Sequence, residues 1–368
     1  MSRFTDLRSD IENLSQVTDQ RDLVNRVINR TLNRIAGFHP YPFYLDEGFF
    51  TTVAEYTTGT ASITNGSAAV TGSGTTFTAA MVGRKIRFNG ETAYYRILSY
   101  SSPTSITLEA PYQGTTDTDA TLSVYQDEYR LRADVHIPHF LRQVEQGAAL
   151  IDVDPGEFDS IYPAPQTKGD PHFYVPVGTR RDTYSTGTVT ASSKTITGTS
   201  TAWLDVQGLS RGSRIRIGNN VYTVQSVDSA TQLTVFETVT TVAGATAYEI
   251  TLDNQRVQLY TIPDTARNIY YRFYREPTPL VNDYDEIDLP SDWQWLLVQG
   301  SLTEMDTHKG DPERAISDEQ QFMAGLQRMK SQYRSVSRTY PRYPQGAMTS
   351  RRFQPTFPTG TDIRAHAP

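Results

Sequence analysis

The chain of 368 residues contains no cysteine. A disulfide framework, a thiolate metal site and a cysteine nucleophile are therefore all excluded, and the composition suits a reducing compartment. No run approaches the roughly 20 apolar residues that a membrane helix needs. The opening "MSRFTDLRSDIENL" carries acids where a signal peptide would carry an apolar run, so the expectation is a soluble chain with no membrane partner. Lysine is also scarce, five beside 29 arginines among the 34 basic residues, with 22 tyrosines. Interfaces enrich Arg and Tyr and deplete Lys, although a codon bias of the lineage gives the same ratio. Net charge is −7.

Catalytic constellations are missing too. "TGSGTT" (Thr71–Thr76) is glycine-rich, but a phosphate-binding loop needs Gly-Lys-Ser/Thr opening a helix, and a β-rich run follows instead. Of the six histidines only His136 and His139 are close, and Pro138 lies between them with no carboxylate at ligand spacing. "NDYDEIDLPSD" fails as a calcium loop because it lacks the sixth-position Gly and the closing Glu, where Gln294 stands. Its acids are expected to meet the dipole of the helix that follows. No carboxylate pair points to glycoside hydrolysis. The reading is a chain without catalysis, cofactor or metal.

What the chain does contain is a repeat. "VTGSGTTFTAAMVGRKIRF" (Val70–Phe88) recurs as "ITGTSTAWLDVQGLSRGSRIRI" (Ile196–Ile217). Phe77 aligns with Trp203, Gly83 with Gly212, Ile86 with Ile215 and Tyr95 with Tyr222, at offsets drifting from 126 to 129. Ser and Thr make up 23 of the 69 residues from 57 to 125 and 21 of the 65 from 186 to 250, alternating with β-branched residues, which predicts antiparallel β units. Two copies are too few for a solenoid, and each is long enough to close a small barrel or sandwich.

Outside the repeats the pattern changes. Leu7, Ile11 and Leu14, then Val24, Val27, Ile28, Thr31 and Ile35, recur at helical spacing. Thr18 or Asp19 is the expected cap of the second helix, Gly37 its stop and Pro40 its barrier. Asp154 and Pro155 predict a helix start, and "RVQLYTIPDTARNIYYRFYREPTPL" predicts two strands. Ser291 with Gln294 reads as a capping box, Gly310 as a stop, and Asp311 with Pro312 as the next start. The fold class expected is α+β: a discontinuous core of helix pair and helical hairpin (1–56, 126–185, 251–335), interrupted by two inserted β-barrel or β-sandwich modules (57–125 and 186–250). Arg26, Arg30 and Arg34 form a stripe that is either a solvated flank or a subunit or DNA-channel contact.

Residues 336–368 hold five prolines, four aromatics and five arginines against the single acid Asp362. Without apolar periodicity the segment cannot fold alone. Its charge of +4 leaves −11 on the remainder. The segment is either a loose terminus or, being aromatic, Arg-rich and proline-stiffened, an arm that docks through Tyr340, Tyr343, Arg351, Arg352, Phe353 and Phe357.

"LRADVHIP" followed by "EFDSIYP", "GDPHFYVPVG", the two-strand segment above and "IDLPSDWQWLLVQGSLTEM", in that order, resemble the head-to-tail adaptor proteins of tailed bacteriophages, the tail tubular protein A type among them. The repeated phrase is similar to small β domains of phage virion proteins. The resemblance implies a virion structural protein, assembled in the host cytoplasm, that forms a dodecameric ring at the capsid–tail junction. Its partners are then copies of itself, the portal protein, tail or nozzle proteins, and genomic DNA passing through the lumen without sequence recognition. The two long inserts depart from the simplest adaptors. The alternative is a receptor- or glycan-binding tail component with the β modules as heads.

Overall fold

The computed structural model describes residues 3–333 apart from 17–19, 146, 148 and 163–165. Helices α1 (Phe4–Ser15) and α2 (Arg21–Phe38) lead into strand β1 (Leu45–Thr51). Next come β2 (Thr60–Ile63), β3 (Ala69–Ser73), β4 (Lys85–Phe88), β5 (Tyr95–Ser102), β6 (Ser105–Leu108) and β7 (Asp117–Tyr125). Then follow β8 (Glu128–Arg130), β9 (Val135–Gln143), β10 (Ile151–Asp152), α3 (Pro155–Ile161), β11 (Phe173–Thr179) and β12 (Asp182–Tyr184). The second Thr-rich stretch gives β13 (Thr188–Thr199), β14 (Arg214–Ile217), β15 (Asn220–Ser229), β16 (Gln232–Thr246) and β17 (Tyr248–Leu252). The chain continues through β18 (Gln255–Tyr260), β19 (Asn268–Arg275), α4 (Trp295–Lys309) and α5 (Pro312–Gln332).

The fold is mixed and mostly β. The core expected to rest on the helices is built chiefly of strands, a correction with a clear origin. Strands on either side of the second Thr-rich stretch, β8 and β9 among them, pair into two sheets of order β1-β19-β9 and β10-β11-β18-β8. Their alternate residues Tyr129, Leu141, Val257, Leu259, Ile269, Tyr271 and Phe273 share one buried cluster. Alternation buries one face of each sheet and wets the other. The helices form a separate cluster in which Phe4, Ile11, Ile28 and Ile35 meet Leu296, Leu297, Phe322 and Met329. Gly300 and Gly325 permit the close approach, since a Cβ there would lie 2.6 Å from Thr31 and 2.4 Å from Leu296.

Strands β2 to β7 close a barrel in the order β2-β3-β6-β5-β4-β7. The second stretch forms a six-stranded sheet of order β12-β17-β14-β15-β16-β13, in which β13 runs unbroken where the first copy has two strands. The repeated phrase makes the same bonds in both. Gly72 N–H donates to the Thr104 carbonyl and Gly198 N–H to that of Thr231, each at 2.8 Å. The Thr75 hydroxyl donates to the Pro103 carbonyl at 3.0 Å and that of Thr201 to Ala230 at 2.8 Å. Phe77 and Trp203, each 1% exposed, plug the two cores. Gly59 and Gly187 have φ of +81° and +85°, and a Cβ would sit 2.5 Å from Ser73 O and 2.4 Å from Thr199 O. Only glycine meets both demands.

The helix signals held unevenly. Asp154 caps α3 through Gly156 and Glu157 N–H, Gly310 ends α4 in the left-handed region, and Asp311 caps α5 with Pro312 at its first position. Gly37 does not stop α2, which runs to Phe38; His39 is extended because Pro40 follows it. Thr18 and Asp19 lie outside the described residues. The Ser291–Gln294 capping box is not formed, because a 3-10 turn at Ser291–Trp293 intervenes and Gln294 donates instead to the Leu289 carbonyl at 3.1 Å.

Candidate interaction surfaces

The arginine stripe of α2 lies against the C-terminal helices. Arg30 reaches Glu304 at 3.1 Å, and Arg34 reaches Glu319 at 2.7 Å while stacking over the Phe322 ring at 4.9 Å. Arg26 is exposed and donates to its own helix at the Asp22 carbonyl. Charge that meets a carboxylate within the chain is not free for phosphate, and of the stripe Arg26 alone has no carboxylate partner among the described residues. The six candidate residues of the arm, Tyr340 to Phe357, lie outside the described residues.

The acids of residues 283–288 do not serve a helix dipole, since none falls in the first turn of α4. Asp283 takes Arg8 at 3.0 Å and Arg21 at 2.7 Å, and these hydrogen bonds hold its carboxyl below the usual range. Asp288 grips Arg275 with both oxygens and accepts from Thr278 N–H at 3.2 Å. Asp285 accepts from the amides of Val281 and Asn282 at 2.8 and 2.7 Å. Asp285 and Asp288 line a cleft of about 520 Å³, with Phe236 and Arg211 among the residues lining it.

Strand β8 ties both Thr-rich units to the two-sheet core. Glu128 faces the barrel, where its carboxylate meets Lys85 of β4 and Arg96 of β5 at 3.0 Å each, and Arg256 of β18. Lys85, only 4% exposed, also bonds Asp127 at 2.8 Å. Burial pushes the Glu128 carboxyl up, but Lys85 and Arg96 outweigh it and bring it to about 2. Two residues on, Arg130 turns to the second unit, donating to the carbonyls of Arg180 and Leu252 at 2.9 and 3.1 Å and pairing with Asp182. Buried Asn254 adds bonds to Leu131 and Gly208 at 2.8 and 2.7 Å. Such polar contacts, several of them buried, tie both units to the strand between them. Sequence reading missed Lys85, Glu128 and Arg130, because nothing in their spacing shows that one short strand links three bodies.

The wet face of the three-stranded sheet is aromatic and cationic. Register aligns Phe49, Tyr270 and Arg142 in one row, Glu47, Arg272 and Phe140 in the next, and Leu45, Tyr274 and Ile137 in the third. Phe49 is 74% exposed, Ile137 41% and Leu45 39%. Arg142 lies over the Tyr270 ring at 4.6 Å, and the Tyr270 hydroxyl donates to Glu47. Among the described residues no cluster of His, Asp and Glu could hold a metal.

A search of curated proteins found nothing similar. Residues 178–345, just under half of the chain, match the family model described as SU10 adaptor protein. The match runs through the second Thr-rich unit, β18, β19 and both C-terminal helices, and leaves out the first barrel. This similarity supports a phage structural adaptor role.

Proposed function

We propose that the chain is a non-enzymatic structural adaptor of a tailed-phage virion, whose copies close into a ring, expected to be dodecameric, between portal and tail. The similarity of residues 178–345 to the SU10 adaptor model carries this reading. In it, 1–56, 126–185 and 251–335 are one discontinuous host domain, and 57–125 and 186–250 are inserted modules. The ionic ties of Glu128 and Arg130 would let those modules bear load on their neighbours. Tyr340, Tyr343, Arg351, Arg352, Phe353 and Phe357 form an arm for the portal or a neighbouring subunit, ordering on contact. Arg26 remains the subunit or channel candidate of its stripe. Genomic DNA would pass an acidic body that does not retain its phosphates.

Mass photometry or negative-stain imaging of the purified chain, with and without its portal, tests the reading. Monomers alone and rings on the portal are expected. A stable trimer that binds surface glycan would replace it with the receptor-binding alternative. That alternative calls for aromatics on exposed loops, and Phe77 and Trp203 are sealed in cores instead.

A further inference from the structure

A ring built by rotation repeats one heterologous contact, so each copy must carry two unlike patches that fit each other. The wet face of β1-β19-β9 is one surface of this kind. Its central rows carry Phe49, Tyr270, Phe140, Arg142 and Arg272. Across these rows two arginines, Arg142 and Arg272, stand against the one carboxylate of Glu47, so the face keeps a net positive charge. Three strands about 4.8 Å apart and seven residues long at about 3.3 Å each cover roughly 300 Å², a fair centre for an interface of about 800 Å² per partner. The free edge of β1 is less inviting than the face. Arg132 covers it, donating to the Glu47 carbonyl at 3.1 Å and pairing with Asp46 at 3.2 Å, and charge on an edge discourages strand addition.

A second, unlike surface lies on the C-terminal helices. Ile316 is 60% exposed and Met323 38%, and the two stand two turns apart on one face of α5. Glu313, one turn before Ile316, is exposed and has no ion-pair partner among the described residues. One surface thus offers apolar rows in which arginine outnumbers carboxylate, and the other an apolar stripe beside the Glu313 carboxylate.

We infer that the face of β1-β19-β9 docks on the Ile316–Met323 stripe of a second copy of this chain, with Arg272 meeting Glu313. The inference rests on the ring reading and names the residues of its contact. Phe49 supplies the apolar anchor, of the kind that dominates interface energetics. The Arg272–Glu313 pair sets register and partner choice.

Full-length chain on its portal provides the test, with rings counted by negative stain and the fold of each unassembled variant checked by thermal melting. Phe49→Asp, Arg272→Glu and Glu313→Arg should each melt like the parent and lower ring formation at least tenfold. Combining Arg272→Glu with Glu313→Arg should restore it to within about threefold. A bis-maleimide should link Phe49→Cys to Met323→Cys between copies in the doubly substituted chain, giving a ladder of multiples that neither single variant gives, on a background free of native cysteine. Unimpaired rings from Phe49→Asp, a charge-swapped pair no better than its singles, or an absent ladder would overturn the contact and leave the ring reading standing. Rings that close but lose their tail proteins would assign the sheet face to another partner and overturn it likewise. Failure of the unaltered chain to form rings would remove the ring reading and the contact with it.

Discussion

Lys85 shows how much a single side chain can carry. Its ammonium is buried between Asp127 and Glu128, and removing one partner of a buried ion pair leaves uncompensated charge, typically at a cost of about 3–5 kcal/mol. Lys85→Ala should lose stability on that scale in urea unfolding, whereas an exposed substitution such as Arg26→Ala should change it by under about 0.5 kcal/mol. Glu128 adds a pH signature. Its carboxyl is held at about 2 when folded, below the value near 4.3 of an unfolded chain, so its contribution is complete above about pH 4.5 and is lost as pH falls through 2. Stability should decline over that window by a few kcal/mol and decline less in Lys85→Ala. Equal slopes in parent and variant would show that Lys85 does not hold the Glu128 proton equilibrium. Neither residue advertises this role in sequence, because their partners lie 32 or more residues away along the chain.

Among the elements, turn and cap chemistry was the most legible. Asp154 with Pro155, Gly310, and Asp311 with Pro312 each act locally, and local bonds do not depend on what packs around them. The false capping box at Ser291 and the late stop of α2 show the opposite case, where an added 3-10 turn or the next proline moves a boundary by a residue or more. The repeated phrase is legible for a different reason: its order of Gly, Thr and aromatic residues recurs along the chain, although its bonds reach distant segments, from Gly72 to Thr104 and from Gly198 to Thr231. Gly187→Ala would place a methyl 2.4 Å from the Thr199 carbonyl at φ +85°. We expect a loss of at least about 1–3 kcal/mol from the backbone strain alone, with hydrogen exchange accelerated in β13–β17 more than in the helices. Uniform acceleration would argue that the second unit does not open separately.

For the whole molecule, the open question is how one acidic body meets its neighbours. Deleting residues 336–368 should weaken docking to the portal about tenfold or more while leaving the melting temperature of the rest within 2–4 °C, on the order of a 1 kcal/mol change in a body of this size; unchanged docking would take the arm out of the account. Composition alone excluded disulfides, cysteine chemistry and a helical membrane span, and the spacing of residues within single elements determined the duplicated β phrase, several helix ends and the apolar helix faces. Tertiary structure alone decided that strands rather than helices dominate the core, that β8 braces both Thr-rich units, and that Arg30 and Arg34 are spent on Glu304 and Glu319. The division follows the range of the forces. Periodicity, capping and turn geometry act within a few residues and are written along the chain, while sheet order, buried ion pairs and exposed apolar faces exist only once distant segments have closed on one another.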